Sequence, residues 1–224
     1  MSILRQVDVI AAEDTRHSQR LMAHFSIETR LVSYHEHSGD AETEGLVGRI
    51  IDGQSVALIS DAGTPLVSDP GYRLVRAVQD AGMPVIPLPG PCAAIAALSA
   101  SGLATDRFHF EGFLPSKSSQ RRSRLEVLAD YHGTLVFYEA PHRIVATLAD
   151  ALAVFGPNRE AVLARELSKA FETIKRLPLP ELSHWVQADA NQQRGEQVLI
   201  IAGAVPELDA VDAATRAWLM RLAA

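Results

Sequence analysis

Four short stretches gather the residue types that bind or turn over small ligands. AEDTR (12–16) sets an acid pair beside an arginine, and ISDAGTPLVSDPG (59–71) places Asp61, Gly63 and Thr64 directly after an apolar run. PLPGPCA (87–93) interleaves proline and glycine ahead of a small-residue helix, and ARELSK (164–169) again mixes acid with base. All but the last follow the carboxyl end of a predicted parallel strand, where open α/β sheets hold their ligands. These three loops would therefore converge on one sheet edge. Gly63 permits close backbone approach and Pro65 stiffens the loop, while Asp69 followed by Pro70 predicts a helix N-cap and first helical position. The same residues also suit an ordinary strand-turn-helix connection, because Asp, Gly and Pro are what any tight turn needs. The chain carries no GxxxxGK[ST], GxGxxG, HExxH or GxSxG, so phosphate-loop, Rossmann, zincin and α/β-hydrolase chemistries lose support.

Short apolar runs alternating with helical patterns must position these loops, which predicts an α/β fold. The first half reads as strands at 7–12, 31–34, 56–60 and 85–88, with helices at 15–25, 42–52 and 69–81, an order that favours a parallel sheet. A small-residue helix follows Pro89-Gly90-Pro91, and 103–107 reads as a linker. The second half reads as strands at 109–113, 134–139, 162–167, 171–176 and 197–202, with helices at 118–130 and 142–155. Close strand spacing after Ala161 predicts a mixed sheet with an antiparallel pair. The expected organisation is a first α/β domain over 1–105, a second over 106–206, and the start of a helical extension over 207–224.

The 224 residues, 47% of them hydrophobic, suffice for a core without disulfides or metals. Cys92 is the single cysteine, which excludes an internal disulfide and fits a reducing compartment. No apolar run reaches the roughly 20 residues needed to cross a bilayer, and residues 1–16 lack a secretory pattern, so the expected location is cytoplasmic, with no membrane. A formal charge of −6 argues against a general nucleic-acid coat, although a local basic patch could still bind one.

AEDTR, SYHEH, ISDAGTPLVSDPG, PLPGPCAAIAAL, FEGFLP, FYEAPHRI and ARELSKAFE occur in this order from about Val7 to about Ala204. Together they resemble the ribosomal RNA small subunit methyltransferase I family of the tetrapyrrole methylase superfamily. The resemblance implies two α/β domains, a parallel sheet in the first and a mixed one in the second, with S-adenosyl-L-methionine in the cleft between them. It implies methyl transfer to the ribose 2′-oxygen of a cytidine in 16S ribosomal RNA of the 30S subunit, by a homodimer. It places Ser60, Asp61, Ala62, Gly63 and Thr64, then Pro89, Gly90, Pro91 and Ala93, and more distantly Gly195 and Glu196, around the cofactor.

A ribose hydroxyl is a weak acid, so a base or a cation beside the developing alkoxide would help its attack on the methyl group. Asp14, Arg16, Glu166 and Lys169 are the expected catalytic residues, with Glu13, His35, His37 and Arg165 as further candidates. The same acid–base pairs could form a salt-bridge network. Lys117, Arg121, Arg122 and Arg124 precede any acidic residue in their helix, and cations near a helix N-terminus oppose its dipole, so this patch is expected to contact RNA phosphates.

The chain departs from the family pattern at its start, where members carry a further strand and a loop reading roughly PTPIGNL. A related methylase of precorrin or diphthine type, or a non-catalytic binder of cofactor or RNA, are the alternatives. DAGTP, where precorrin methylases carry a GGDP-like sequence, speaks against the former.

Overall fold

Val9–Ala12 is apolar and buried at every position, which is the signature of a strand covered on both faces. In the computed structural model, which describes residues 1–205, this segment is strand β1. The expected extension over 207–224 lies outside the described residues. The chain divides into two compact units, residues 1–93 and residues 94 onward.

The first unit opens with helix α1 (Ser2–Gln6) and continues through β1, α2 (Thr15–His24), β2 (Arg30–Ser33), α3 (Asp40–Ile51), β3 (Val56–Ile59) and α4 (Tyr72–Asp80). Its sheet runs β2-β1-β3, all parallel, with Ala12 opposite Ser33 on one side and Ile59 on the other. Val9, Ala11, Tyr34, Leu46, Leu74 and Val78 pack one face, and Ile10, Met22 and Ile27 pack the other. The expected fourth strand, 85–88, does not join the sheet: Val85, Ile86 and Leu88 are 40%, 77% and 54% exposed. Apolar content alone does not make a strand, since backbone donors and acceptors need a neighbouring strand to pair with. Among the described residues β3 has no strand on its outer edge.

The helix expected from Asp69 begins three residues later. Gly71, at φ 135°, occupies the N-cap position, and a β-carbon there would lie 2.6 Å from Leu58 and 2.8 Å from Leu66. Gly71→Ala is expected to cost roughly 1–3 kcal/mol through its left-handed backbone alone. The collision with two leucines adds to that, so chemical denaturation showing no loss would contradict this account.

The second unit contains most of helix α5 (Ala93–Ala100), then β4 (Phe108–Phe113), α6 (Ser118–Val127), β5 (Thr134–Glu139), α7 (Ile144–Phe155), β6 (Glu160–Arg165), β7 (Thr173–Pro178), α8 (Leu179–Ala188) and β8 (Gln197–Ile201). Its sheet is mixed, in order β4-β5-β8-β6-β7, with β4 parallel to β5 and β8 antiparallel to both its neighbours. β6 and β7 form the expected antiparallel pair. Helix α8 was not expected, although Leu179, Leu182, Ser183 and Val186 are buried at helical spacing and Pro180 and Glu181 suit a first turn. No helix among the described residues is long and apolar enough to cross a membrane.

Candidate functional site

In the first unit, the ends of β1 and β3 are adjacent in register, so AEDTR and the Asp61 loop meet as expected. Their backbones and carboxylates interlock. The Asp14 N–H donates to Asp61 Oδ1 at 3.2 Å, and the Asp61 N–H donates to the Glu13 carboxylate. The Asp61 loop is also joined to the proline–glycine loop, because Thr64 Oγ1 donates to the Pro91 carbonyl at 2.8 Å. A β-carbon on Gly63 would lie 3.7 Å from that carbonyl oxygen. Leu66 and Ser68, at φ 71° and 62°, sit in the left-handed region that non-glycine residues rarely enter. Strain of that kind, of order 1–3 kcal/mol per residue, persists where surrounding structure enforces it and often marks ligand sites.

Burial raises the Glu13 carboxyl above its ordinary range, and the charges of Asp69, Asp61 and Glu36 raise it further. Burial likewise raises Asp69, against a hydrogen bond from Ser60. No lysine, arginine or histidine forms an ion pair with Glu13, Asp61 or Asp69 among the described residues. The cluster of carboxylates therefore favours either a proton or a cationic ligand.

A carboxyl with a raised folded-state pKa binds its proton more tightly in the folded chain than in the unfolded one. Its ionisation then lowers stability as pH rises through the interval above the ordinary value. Glu13→Gln should consequently stabilise the protein at neutral pH, and the advantage should vanish as pH falls below the ordinary carboxylate range. Denaturation of both proteins across that range checks the sign; a pH-independent difference would rule it out.

Asp14 has a different task from the one expected. Its Oδ1 accepts the N–H groups of Arg16 at 2.8 Å and His17 at 3.3 Å, capping α2, and these bonds hold its carboxyl below the usual range. A side chain committed to a helix cap is a poor base. The Arg16 side chain is 92% exposed and lies 3.5 Å from Asp14, its one ion-pair contact among the described residues. Glu13, a further candidate in the sequence reading, is the carboxyl whose hold on a proton is strengthened, and only its environment reveals this.

In the second unit, RELSK and Gly195-Glu196 come together. Lys169 Nζ lies 2.8 Å from Glu166 Oε1 and 3.1 Å from Glu196 Oε2, and the Glu196 N–H donates to Glu166 Oε1 at 2.9 Å. Lys169 and the Glu196 N–H hold Glu166 below its usual range, and Glu166 in turn raises Lys169. Lys169 is thus held as a cation and Glu166 as an anion. Arg165, nearly buried, donates to the Phe171 carbonyl and to Thr173, which shapes the turn and delays β7 to Thr173.

The expected phosphate patch is largely engaged within the protein. Arg121 is 3% exposed and bonded to Asp150 at 2.7 Å, so it cannot reach a phosphate. Arg124 makes a bidentate pair with Glu111, at 2.6 and 2.7 Å. Arg122 also pairs with Asp150, at 2.6 Å, but remains half exposed, and Lys117 is exposed.

The family described as Tetrapyrrole (Corrin/Porphyrin) Methylases matches residues 1–183. The chain is 59% identical over 203 residues to "Ribosomal RNA small subunit methyltransferase I" of Pseudomonas aeruginosa, covering 91% of this chain and 72% of that protein. It is 52% identical to the protein of the same name from Escherichia coli O157:H7, covering 91% and 71%. Among solved structures, diphthine synthase superposes with TM-score 0.63 at 15% identity, covering 90% of this chain and 82% of the other. Cobalt precorrin-4 methyltransferase gives 0.61 at 15% identity, covering 90% and 86%. At such identity these two likenesses establish the fold.

Proposed function

Because the chain belongs to the tetrapyrrole methylase family, in its ribosomal RNA small subunit methyltransferase I branch, we propose that it methylates 16S ribosomal RNA. The acceptor we assign is the ribose 2′-hydroxyl of a cytidine, and the donor S-adenosyl-L-methionine. When bound, the donor supplies an electrophilic methyl group on a cationic sulfonium. The observation that carries the reading is the carboxylate cluster Glu13, Asp61 and Asp69 at the ends of β1 and β3, without basic ion-pair partners among the described residues. Such a cluster suits a ligand that carries positive charge, and the loop at Gly63 is free of bulk beside the Pro91 carbonyl.

Each group then has a distinct task. Glu13, Asp61 and Asp69 bind the cationic ligand, with Ser60, Ala62, Gly63, Thr64, Pro89, Gly90, Pro91 and Ala93 shaping its cradle. Gly195 and Glu196 are assigned to its adenosine end. Lys169, kept protonated by Glu166, stabilises the alkoxide that develops on the attacking oxygen. Glu166, held ionised, positions Lys169 rather than taking the proton, which leaves the hydroxyl to solvent water as the oxygen–methyl bond forms and the sulfonium–methyl bond breaks. The proposed assembly is a homodimer acting on the 30S subunit.

Calorimetric titration with S-adenosyl-L-methionine, followed by methylation of assembled 30S subunits and mapping of the modified ribose, tests the proposal. Absence of both binding and methylation would sink it, whereas methylation of a base would overturn the assigned acceptor.

A further inference from the structure

Phe110 and Phe113 are three residues apart in β4, and in a regular strand they would point to opposite faces. Here the register against β5 passes from Phe110–Val136 directly to Gly112–Phe137, leaving Glu111 as an extra residue, and Gly112 takes φ 73°. Bulges are uncommon between parallel strands, and they re-aim the side chains beside them. The effect is that both phenylalanines meet one ring. Phe110 lies edge-on to Tyr138 at 4.9 Å and Phe113 at 5.7 Å between centroids. Tyr138 is itself anchored, accepting the Ala94 N–H at 3.2 Å. Phe113 nevertheless remains 55% exposed.

The chain that leaves Phe113 is held as firmly. Arg143 bonds the carbonyls of Leu114 and Pro115, and Arg121 bonds those of Pro115 and Ser116, which fixes the backbone leading to Lys117. Lys117, Arg121, Arg122 and Arg124 with their partners Glu111 and Asp150 make four cations against two carboxylates. Lys117 makes no ion pair among the described residues, and Arg122 shares Asp150 with the buried Arg121 while its own side chain stays half exposed. An exposed aromatic ring on a backbone held by these bonds, next to the exposed Lys117 and the half-exposed Arg122, matches what single-stranded nucleic acid requires: a face for a base and charge for its phosphates.

We infer that Phe113, braced by Tyr138, is a stacking platform for an unpaired base of the RNA substrate, with Lys117 and Arg122 contacting the adjoining phosphates. This rests on the reading of the chain as an RNA methyltransferase, and it replaces the four-cation patch by one aromatic and two cations.

The test compares wild type with Phe113→Leu and Phe113→Trp for binding to an unstructured, fluorescently labelled cytidine-rich oligoribonucleotide. Phe113→Leu should weaken binding about tenfold, while Phe113→Trp should bind at least as well as wild type, since stacking needs only a π-face. The salt slope of Phe113→Leu should match wild type, and that of Lys117→Ala should fall by about one. Affinity for S-adenosyl-L-methionine should be unchanged in all three. Unaltered RNA binding by Phe113→Leu overturns the inference. So does a loss of cofactor affinity, which would give the ring to the cofactor, or a shift in sedimentation without loss of RNA binding, which would give it to a second copy of the chain. If wild type fails to methylate 30S subunits while Phe113→Leu still loses oligonucleotide binding, the proposed reaction fails and the platform stands. Methylation by wild type with no effect of Phe113→Leu gives the reverse.

Discussion

Asp150→Ala is expected to destabilise the second unit by roughly 3–5 kcal/mol, because it strands a buried arginine without its counter-charge. Asp150 and Arg121 are 2% and 3% exposed, and their side chains meet at 2.7 Å. Asp150 also accepts Ser118 Oγ through both oxygens at 3.0 Å and pairs with Arg122 at 2.6 Å. Burial pushes the Asp150 carboxyl upward, but the bonds from Arg122, Ser118 and Arg121 outweigh it and hold it below the usual range. A carboxylate of this kind stabilises the fold above its unfolded-state pKa, and that contribution is lost as pH falls through its lower folded value. Chemical denaturation of Asp150→Ala and of the double variant Asp150→Ala with Arg121→Met isolates the cause. If the buried charge is responsible, the double variant should recover much of the loss. A single variant as stable as wild type would show that α6 and α7 are held together by their apolar contacts alone. Substituting Arg122, whose head is half exposed, should cost far less.

Lys169→Met is expected to lower the rate of methyl transfer about 100-fold while leaving S-adenosyl-L-methionine affinity nearly unchanged. Glu166 and Ser168 take φ values of 52° and 64°, and Gly195 takes 76°, so the two turns meet in backbone conformations that ordinary residues disfavour. A β-carbon on Gly195 would lie 2.3 Å from Glu166, so only glycine lets Glu166 lie where it holds Lys169. The ammonium is therefore positioned before reaction, and a positioned cation near a developing negative charge acts on the transition state more than on the ground state. Single-turnover methylation of 30S subunits together with calorimetric cofactor binding separates these. An undiminished rate would remove Lys169 from the reaction, and affinity falling in step with rate would make it a binding residue. Lys169→Arg, which keeps the charge but alters its shape, should retain more activity than Lys169→Met.

Much of this was open to reading from the chain alone. The alternation of apolar runs with capped helical patterns predicts an α/β fold with parallel and then mixed sheets, because period and caps are local properties. The loops at Asp61 and Pro89 stand at the ends of predicted strands for the same reason, and their ordered motifs identify the family. Two elements escaped. Residues 85–88 have the composition of a strand but lack a bonded neighbouring strand among the described residues, and α8 follows a strand but has a helical burial pattern.

What the tertiary structure alone decided is how each charge is employed. Glu13 and Asp14 are neighbours of the same chemistry, yet one is half-buried among carboxylates and the other caps a helix. Arg121 and Arg122 are neighbours as well, yet one is sealed against Asp150 and the other, though it reaches the same carboxylate, keeps half its side chain exposed. Asp150 lies 29 residues from Arg121, and Glu111 lies 13 from Arg124, so no spacing rule on a single helix or strand could pair them. A side chain's pKa, and its availability to a ligand, follow from burial and from partners brought in by packing. The sequence determines which residues can act, and the fold determines which of them are already occupied.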